Sequence, residues 1–179
     1  MIRAWDLGMF HLNDLVVRCG FPGTMFLKED IVKSKLLAGC IIGVCFLLLG
    51  CSGTKPTNLG VKQGKLSPCP DSPNCVSSTG RDSRHAMEPL GYIGDRQGAK
   101  QKLVDIVSSF KRARIVVDDQ DYIHAEFASA VFGFVDDVEF YFDDEHKVIH
   151  FRSASRFGKY DFGVNRKRMD KIRQRFYKD

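Results

Sequence analysis

The chain has 179 residues, 44% of them hydrophobic, and a formal net charge of +5. This length suits one domain with appendages, and the apolar content is typical of a globular protein rather than a disordered one. From Cys51 onward Lys and Arg total 22 and Asp and Glu total 18, which leaves +4. This positive excess is small, and the basic residues are not interleaved with aromatic residues. Both observations argue against nucleic acid as a partner.

Residues 36–50 form an uncharged apolar run, LLAGCIIGVCFLLLG, behind three lysines in the segment 28–35. As a helix the run spans about 22 Å, which is short for a bilayer core of about 30 Å and typical of a signal peptide. It ends in LLGC at 48–51, which resembles the bacterial lipobox: an aliphatic residue, a small residue, and then the cysteine that is acylated.

We therefore expect residues 1–50 to be an N-terminal extension with a lipoprotein signal peptide, cut in front of Cys51. Acyl chains on Cys51 would then insert into membrane lipid and give stable anchoring. Ser52, rather than an aspartate, follows the cysteine. This resembles lipoproteins sent to the outer membrane, so we expect the protein there, facing the periplasm. An uncleaved membrane anchor is the alternative, and Met25 is an alternative start.

Residues 51–66 are rich in Gly, Lys, Thr and Ser and are predicted to be a flexible tether. The predicted domain covers 67–179. It opens with Cys69 and Cys75, which flank a segment with two prolines. Two close cysteines in an exported chain indicate a disulfide. Metal binding is the alternative use of the two thiols, but their spacing and the lack of a second pair disfavour it.

Residues 77–94 are predicted to be irregular. A helix follows, which Asp95 can cap, and its apolar residues recur at helical spacing up to Phe110. Short connectors then separate four predicted strands, so neighbouring strands must be antiparallel. They cover residues 114–118, 122–129, 138–143 and 147–154. A basic helix ends the chain, with Asn165 as its predicted cap. We expect its charges to face solvent, with contact to a membrane surface as the alternative.

The order α-β-β-β-β-α predicts an α+β fold, a four-stranded antiparallel sheet with two helices packed on one face. Strand alternation predicts which side chains form the core. They are Ile115, Val117, Ile123, Ala125, Phe127, Val138, Phe140, Phe142, Ile149 and Phe151.

The opposite face of the predicted sheet is polar. His124, Glu126, Glu139 and His150 are its candidate functional residues, with Tyr141 and Arg152 beside them. Histidine and carboxylate on adjacent strands suit metal binding or general acid–base chemistry. An antiparallel sheet also leaves one face in water with opposite charges paired across strands, and we favour this interpretation.

A second candidate site surrounds the end of the last strand and the start of the last helix. Its residues are Arg152, Ser153, Ser155, Arg156, Asp161, Asn165 and Arg166. Two arginines near a helix N-terminus suit an anion such as phosphate or carboxylate. The alternative is a structural network in which the carboxylate pairs with an arginine and the hydroxyls bind turn amides.

Several long motifs resemble one known family, DUF1499, whose name records an unknown function. They are CPDSPNCVSS (69–78), HAMEPL (85–90), DYIHAEF (121–127), FGFVDDVEFYFD (132–143) and IHFRSASRFGKYDFGVNRKRMDKIR (149–173). The resemblance implies a small domain of exported or membrane-associated bacterial proteins. It implies no catalytic residues, although both cysteines and the arginine cluster fall within its motifs.

Together these patterns predict a lipid-anchored envelope protein that binds an envelope protein or a small anionic ligand, or has a structural role, without catalysis. We predict no cofactor and no metal. The alternative is a hydrolase-like envelope enzyme that uses the His/Glu face of the sheet.

Overall fold

The structure is a computed structural model that describes residues 53–178. The predicted signal peptide, its cleavage point and Cys51 lie outside the described residues. Within 53–178, no helix has the length and apolarity needed to cross a membrane. The elements are β1 Val61–Lys62, β2 Lys65–Leu66, β3 Cys75–Ser77, β4 Leu90–Gly91, α1 Arg96–Ser108, β5 Ala113–Asp118, β6 Tyr122–Ala128, β7 Val135–Asp143, β8 Val148–Ser155 and α2 Val164–Phe176.

The main sheet confirms the α+β class but has six strands rather than the predicted four. Its order is β3-β8-β7-β6-β5, and β4 also pairs with β8. Every pairing between these strands is antiparallel. The prediction missed β3 and β4 because strands of three and two residues are too short to show alternation. Both extend the free edge of β8, which supplies the backbone partners that they need.

The core lies between one face of this sheet and the two helices, as predicted. Fully buried phenylalanines of β7 and β8, such as Phe140 and Phe151, pack with Leu103 of α1 and Ile172 of α2. Asp95 caps α1 as expected, since its carboxylate accepts from the backbone N–H of Gly98 at 2.7 Å.

Val117 was predicted to face the core, and this prediction is wrong. The register of β5 against β6 shifts between Ile115 and Val117, which marks a β-bulge. An extra residue in one strand reverses the side on which the following side chains lie. Ile115 stays against the core, whereas Val117 pairs with His124 and reaches the polar face.

Two arginines of α2, which was predicted to point its charges into solvent, donate hydrogen bonds to backbone carbonyls. Arg166 donates to the carbonyls of Ala86 and Arg84, and Arg173 donates to the carbonyls of Pro89 and Glu88. These carbonyls belong to the irregular segment 82–89, and none of them accepts from a backbone N–H in the turns and loops of residues 53–178. The helix therefore satisfies carbonyl groups that would otherwise lack donors.

Residues 53–66, predicted to be part of a flexible tether, contain regular structure. β1 and β2 form a two-stranded hairpin, and Leu66 is buried. The backbone N–H of Gly60 donates to the Glu139 carboxylate at 2.7 Å. Composition alone predicted a solvated segment, because the partners that hold it lie about 80 residues later in the chain.

Candidate functional site

The polar face of the sheet is formed by alternate residues of β6, β7 and β8. The register places His124 opposite Glu139, and Glu139 opposite Arg152. Glu126 lies opposite Asp137 in the same way. The register thus brings His124, Glu126 and Glu139 together on one face. This face is not a solvated surface, however, since His124, Asp137, Glu139 and Arg152 are all at most 4% exposed.

Glu139 is the centre of one half of this face. Its Oε1 accepts from the hydroxyl of Tyr122 at 2.8 Å and from the backbone N–H of Gly60 at 2.7 Å. Its Oε2 accepts from Nη1 of Arg152 at 2.9 Å. A buried carboxylate needs such donors to offset the loss of water. Glu139 thus connects three neighbouring strands, β6, β7 and β8, to the segment that precedes the hairpin.

Arg156 is the centre of the other half. Its guanidinium makes two hydrogen bonds to Asp137, from Nε at 2.8 Å and from Nη2 at 2.7 Å. Nη2 also donates to Glu126 at 2.5 Å. Nε2 of His124 lies 2.8 Å from Asp137, and Arg114 donates to the second oxygen of Glu126 at 2.7 Å. Bidentate pairing of this kind fixes the orientation of both groups.

These contacts change the acid–base properties of the charged groups. Burial by itself raises the pKa of Asp137, but the hydrogen bonds from Arg156 and His124 outweigh it and hold that pKa below its ordinary value. The pKa of Glu126 is lowered in the same way, with burial opposed by Arg114 and Arg156. The hydrogen bond to Asp137 in turn raises the pKa of Arg156. All three groups are therefore held in their charged forms.

His124, Glu126 and Asp137 have the composition of a metal site, and their ligand atoms lie within 4.8 Å of one another. The Arg156 guanidinium already donates to both carboxylates of this group. A metal ion would have to displace a buried arginine and leave its charge unpaired, which is costly. The arrangement is that of an ion-pair network in which arginine supplies the positive charge.

His150 does not join His124. Its ring stacks on Tyr141 with centroids 6.4 Å apart, and its Nδ1 lies 3.1 Å from the hydroxyl of Ser78. Burial lowers its pKa, which favours the neutral ring. The two predicted histidines thus have separate surroundings and separate partners.

A cavity of about 420 Å³ lies beside His124. It is lined by the segment before the hairpin and by the edge formed by β5 and β6, including Lys55, Leu59, Val117, Asp121 and Tyr122. His124 is the one member of the ion-pair network on this lining. The cavity therefore reaches the edge of the network at His124, which is 1% exposed.

The predicted anion site is divided between the two faces of the sheet. Arg152 and Arg156 lie on the polar face and are bound to carboxylates. Ser153 lies on the helix side, where its hydroxyl donates to Oδ1 of Asn165 at 2.5 Å. Consecutive strand residues point to opposite faces, so neighbours in the sequence cannot all meet.

The helix side of this cluster is a closed network around buried Asn165. The amide of Asn165 donates to the hydroxyl of Ser155 and to Asp161. Arg168, which the sequence analysis missed, donates to Oδ1 of Asn165 and to Asp136. Asn165 is not the helix cap: it lies inside α2, and Gly163 occupies the cap position. Asp161 accepts from the backbone N–H groups of Gly163 and Asn165. The helix N-terminus is thus already occupied by a carboxylate of the chain.

The disulfide between Cys69 and Cys75 is present, with Cα atoms 5.7 Å apart. The disulfide lies next to Asn74. The side-chain amide of Asn74 donates to the carbonyl of Gly158, and the backbone carbonyl of Asn74 accepts from the side chain of Asn165. His85 lies under the same loop, with Nδ1 2.7 Å from Asp82 and Nε2 3.2 Å from the carbonyl of Ser72. These contacts link the cysteine loop to the closed network.

A comparison with family models assigns the sequence to a family. Residues 65–176, more than half of the chain, match the family model described as a protein of unknown function (DUF1499). The chain belongs to the DUF1499 family. Curated proteins and solved structures gave no match. The DUF1499 region contains the disulfide, both halves of the ion-pair network and both helices, and it begins at β2.

Proposed function

We propose that the protein is a lipid-anchored, non-catalytic module of the bacterial cell envelope. The signal-like run at 36–50, the LLGC sequence at 48–51 and the disulfide support this proposal together. Because cytosolic thiols are normally reduced, a disulfide is typical of an exported domain. Ser52 after the cysteine supports the outer membrane, with the domain in the periplasm, as the destination.

The observation that carries the non-catalytic role is the pairing of the charged groups on the sheet face. Arg114, Arg152 and Arg156 are bound to carboxylates at 2.5 to 2.9 Å. Glu126, Asp137 and Glu139 supply an equal number of negative charges. A balanced, hydrogen-bonded network stabilises one arrangement of a domain but offers no excess charge to a small anion. The pairing therefore favours a structural module, or one that binds another envelope component through its outer surface.

The anchoring is tested by intact mass and peptide mass spectrometry of the protein purified from a membrane fraction. We expect a chain that starts at Cys51 and carries diacylglycerol, with or without a third acyl chain. Cys51→Ala should leave an uncleaved, unmodified chain. Cys45→Ala, in the same apolar run, is the matched control and should be processed normally. An unmodified thiol at residue 51 in a chain that still has its leader would refute the proposal.

One observation favours the alternative, a hydrolase-like enzyme. His124 borders the cavity of about 420 Å³ while its Nε2 contacts Asp137, which is the arrangement of an oriented general base. The test is a panel of ester, amide and phosphate substrates with the wild type and His124→Gln. Hydrolysis that the variant loses while it stays folded would support an enzyme. Equal rates for both proteins would count against it.

A further inference from the structure

Exposed aromatic side chains gather at one end of the sheet, which we call the aromatic end. They belong to the β6–β7 connection and to the β8–α2 connection. Phe132 is 66% exposed and Phe157 is 56% exposed. Phe134 stacks between the two connections, with its ring centroid 5.5 Å from that of Phe132 and 5.3 Å from that of Phe157. A monomeric domain rarely exposes a contiguous apolar patch unless it contacts a partner or a membrane.

The chain enters the domain at this same end. Gly53 packs against Arg156, the residue before Phe157, so closely that a Cβ at Gly53 would lie 2.9 Å from the Arg156 Cβ. Gly53 also has a φ of +70°, which glycine adopts at low cost. Only Ser52 separates it from Cys51, and two residue steps along the chain span at most about 7 Å. An acyl chain on Cys51 must therefore enter the bilayer beside the aromatic end.

Charge divides along the same axis. Lys111, Arg112 and Lys159 are exposed on connections at the aromatic end. The opposite end consists of the β5–β6 and β7–β8 turns. They carry six acidic residues, Asp118, Asp119, Asp121, Asp143, Asp144 and Glu145, against the basic side chains of His146 and Lys147. A membrane with anionic lipids attracts the first end and repels the second. The two ends are separated by the length of β7, roughly 27 Å for nine strand residues.

We propose that the aromatic end is a membrane-docking surface, so that the anchored domain sits on the bilayer in one orientation with its acidic turns pointing away. This inference rests on the proposed anchoring at Cys51. Phenylalanine rings entering the interface would add apolar burial to that of the acyl chains. The bilayer is the favoured occupant because the anchor point, the aromatic rings and the basic residues coincide.

The test uses single tryptophans in the acylated protein, reconstituted in vesicles of phosphatidylethanolamine and phosphatidylglycerol. The only tryptophan of the sequence is Trp5, so the mature chain has none. Phe132→Trp places a probe at the aromatic end. Ile93→Trp is the matched control, because Ile93 is fully exposed and its neighbour Tyr92 binds the carbonyl of Lys147 at the acidic end. We expect blue-shifted emission at position 132 and quenching by brominated acyl chains, with neither at position 93.

The following outcomes would overturn the proposal. Equal quenching at both positions would show that the domain has no fixed orientation on the bilayer. A blue shift at 132 without quenching would show that protein, such as a second copy of this chain, covers the patch. Intact mass of the same sample separates this inference from the proposed function. An acylated chain without quenching at 132 refutes docking alone, whereas an unmodified Cys51 refutes both.

Discussion

Replacing Glu139 by alanine should be among the most destabilising changes to the sheet face. Glu139 is fully buried and receives three hydrogen bonds, including the one from Arg152 at 2.9 Å. Among residues 53–178 it is the only hydrogen-bond acceptor of the Arg152 guanidinium, whose Nε has no partner. Glu139→Ala would therefore leave a buried charge unpaired and would release Gly60 and Tyr122 as well.

Removing one partner of a buried ion pair costs about 3–5 kcal/mol, while a whole domain is stable by about 5–15 kcal/mol. We expect Glu139→Ala to lower the free energy of unfolding by about 3–5 kcal/mol, measured in urea titrations followed by circular dichroism. Glu145→Ala, in the exposed β7–β8 turn, is the control and should change stability by less than about 0.5 kcal/mol.

The double variant Glu139→Ala/Arg152→Ala separates loss of pairing from loss of packing. It removes both charges, so it should destabilise the domain by clearly less than the sum of the two single variants. Additive effects would show that the two side chains act independently. A loss below about 1 kcal/mol in Glu139→Ala, within the range of ordinary hydrogen bonds, would refute the assignment of Glu139 as the centre of the network.

Three further results are expected. Stability should fall in acid. In the folded protein the pKa values of Asp137 and Glu126 lie below their ordinary values of 3.8 and 4.5. The two carboxylates therefore stabilise the fold fully above their ordinary pKa values, and this contribution is lost as the pH falls through the lower pKa values of the folded state. Urea titrations across pH 2–7 would show this, and a flat profile would contradict it. Cys69→Ser/Cys75→Ser should lower the free energy of unfolding by about 2.4 kcal/mol, the chain-entropy value for a loop of this size. Thermal unfolding with and without reductant provides the measurement, and insensitivity of the wild type to reductant would count against it. Asp161→Ala should cost about 1–2 kcal/mol, because its carboxylate accepts from two backbone N–H groups at the N-terminus of α2, whereas exposed Asp170→Ala within α2 should cost little. Equal losses in Asp161→Ala and Asp170→Ala would refute this role of Asp161.

Local patterns in the sequence predicted the main layers of the fold. Alternation identified β5 to β8, because each has a buried and a polar face. Helical spacing and Asp95 identified α1. What alternation could not show was the short strands β3 and β4, or the bulge that moves Val117 to the polar face. A bulge adds one residue without changing the composition of the strand, so it leaves no local signal.

The candidate site was predicted in part. His124, Glu126 and Glu139 were found because they alternate with core residues. Asp137 was missed because the predicted strand began at Val138, whereas β7 begins at Val135. The grouping of Arg152 with Ser153 was wrong, and strand geometry itself could have excluded it. Arg114 and Arg168 carried no sequence signal, since an isolated arginine gives no indication of its partner.

The segment 53–66 changes how the proposed anchor would act. A flexible tether would let the domain rotate freely above the membrane. Here Gly53 lies against Arg156 and the N–H of Gly60 binds Glu139, so the chain next to Cys51 is joined to both halves of the ion-pair network. An acyl anchor at Cys51 would then hold the sheet directly rather than through a long linker. Weakening Glu139 or Arg156 should therefore loosen the orientation of the domain on the bilayer, and not only its stability.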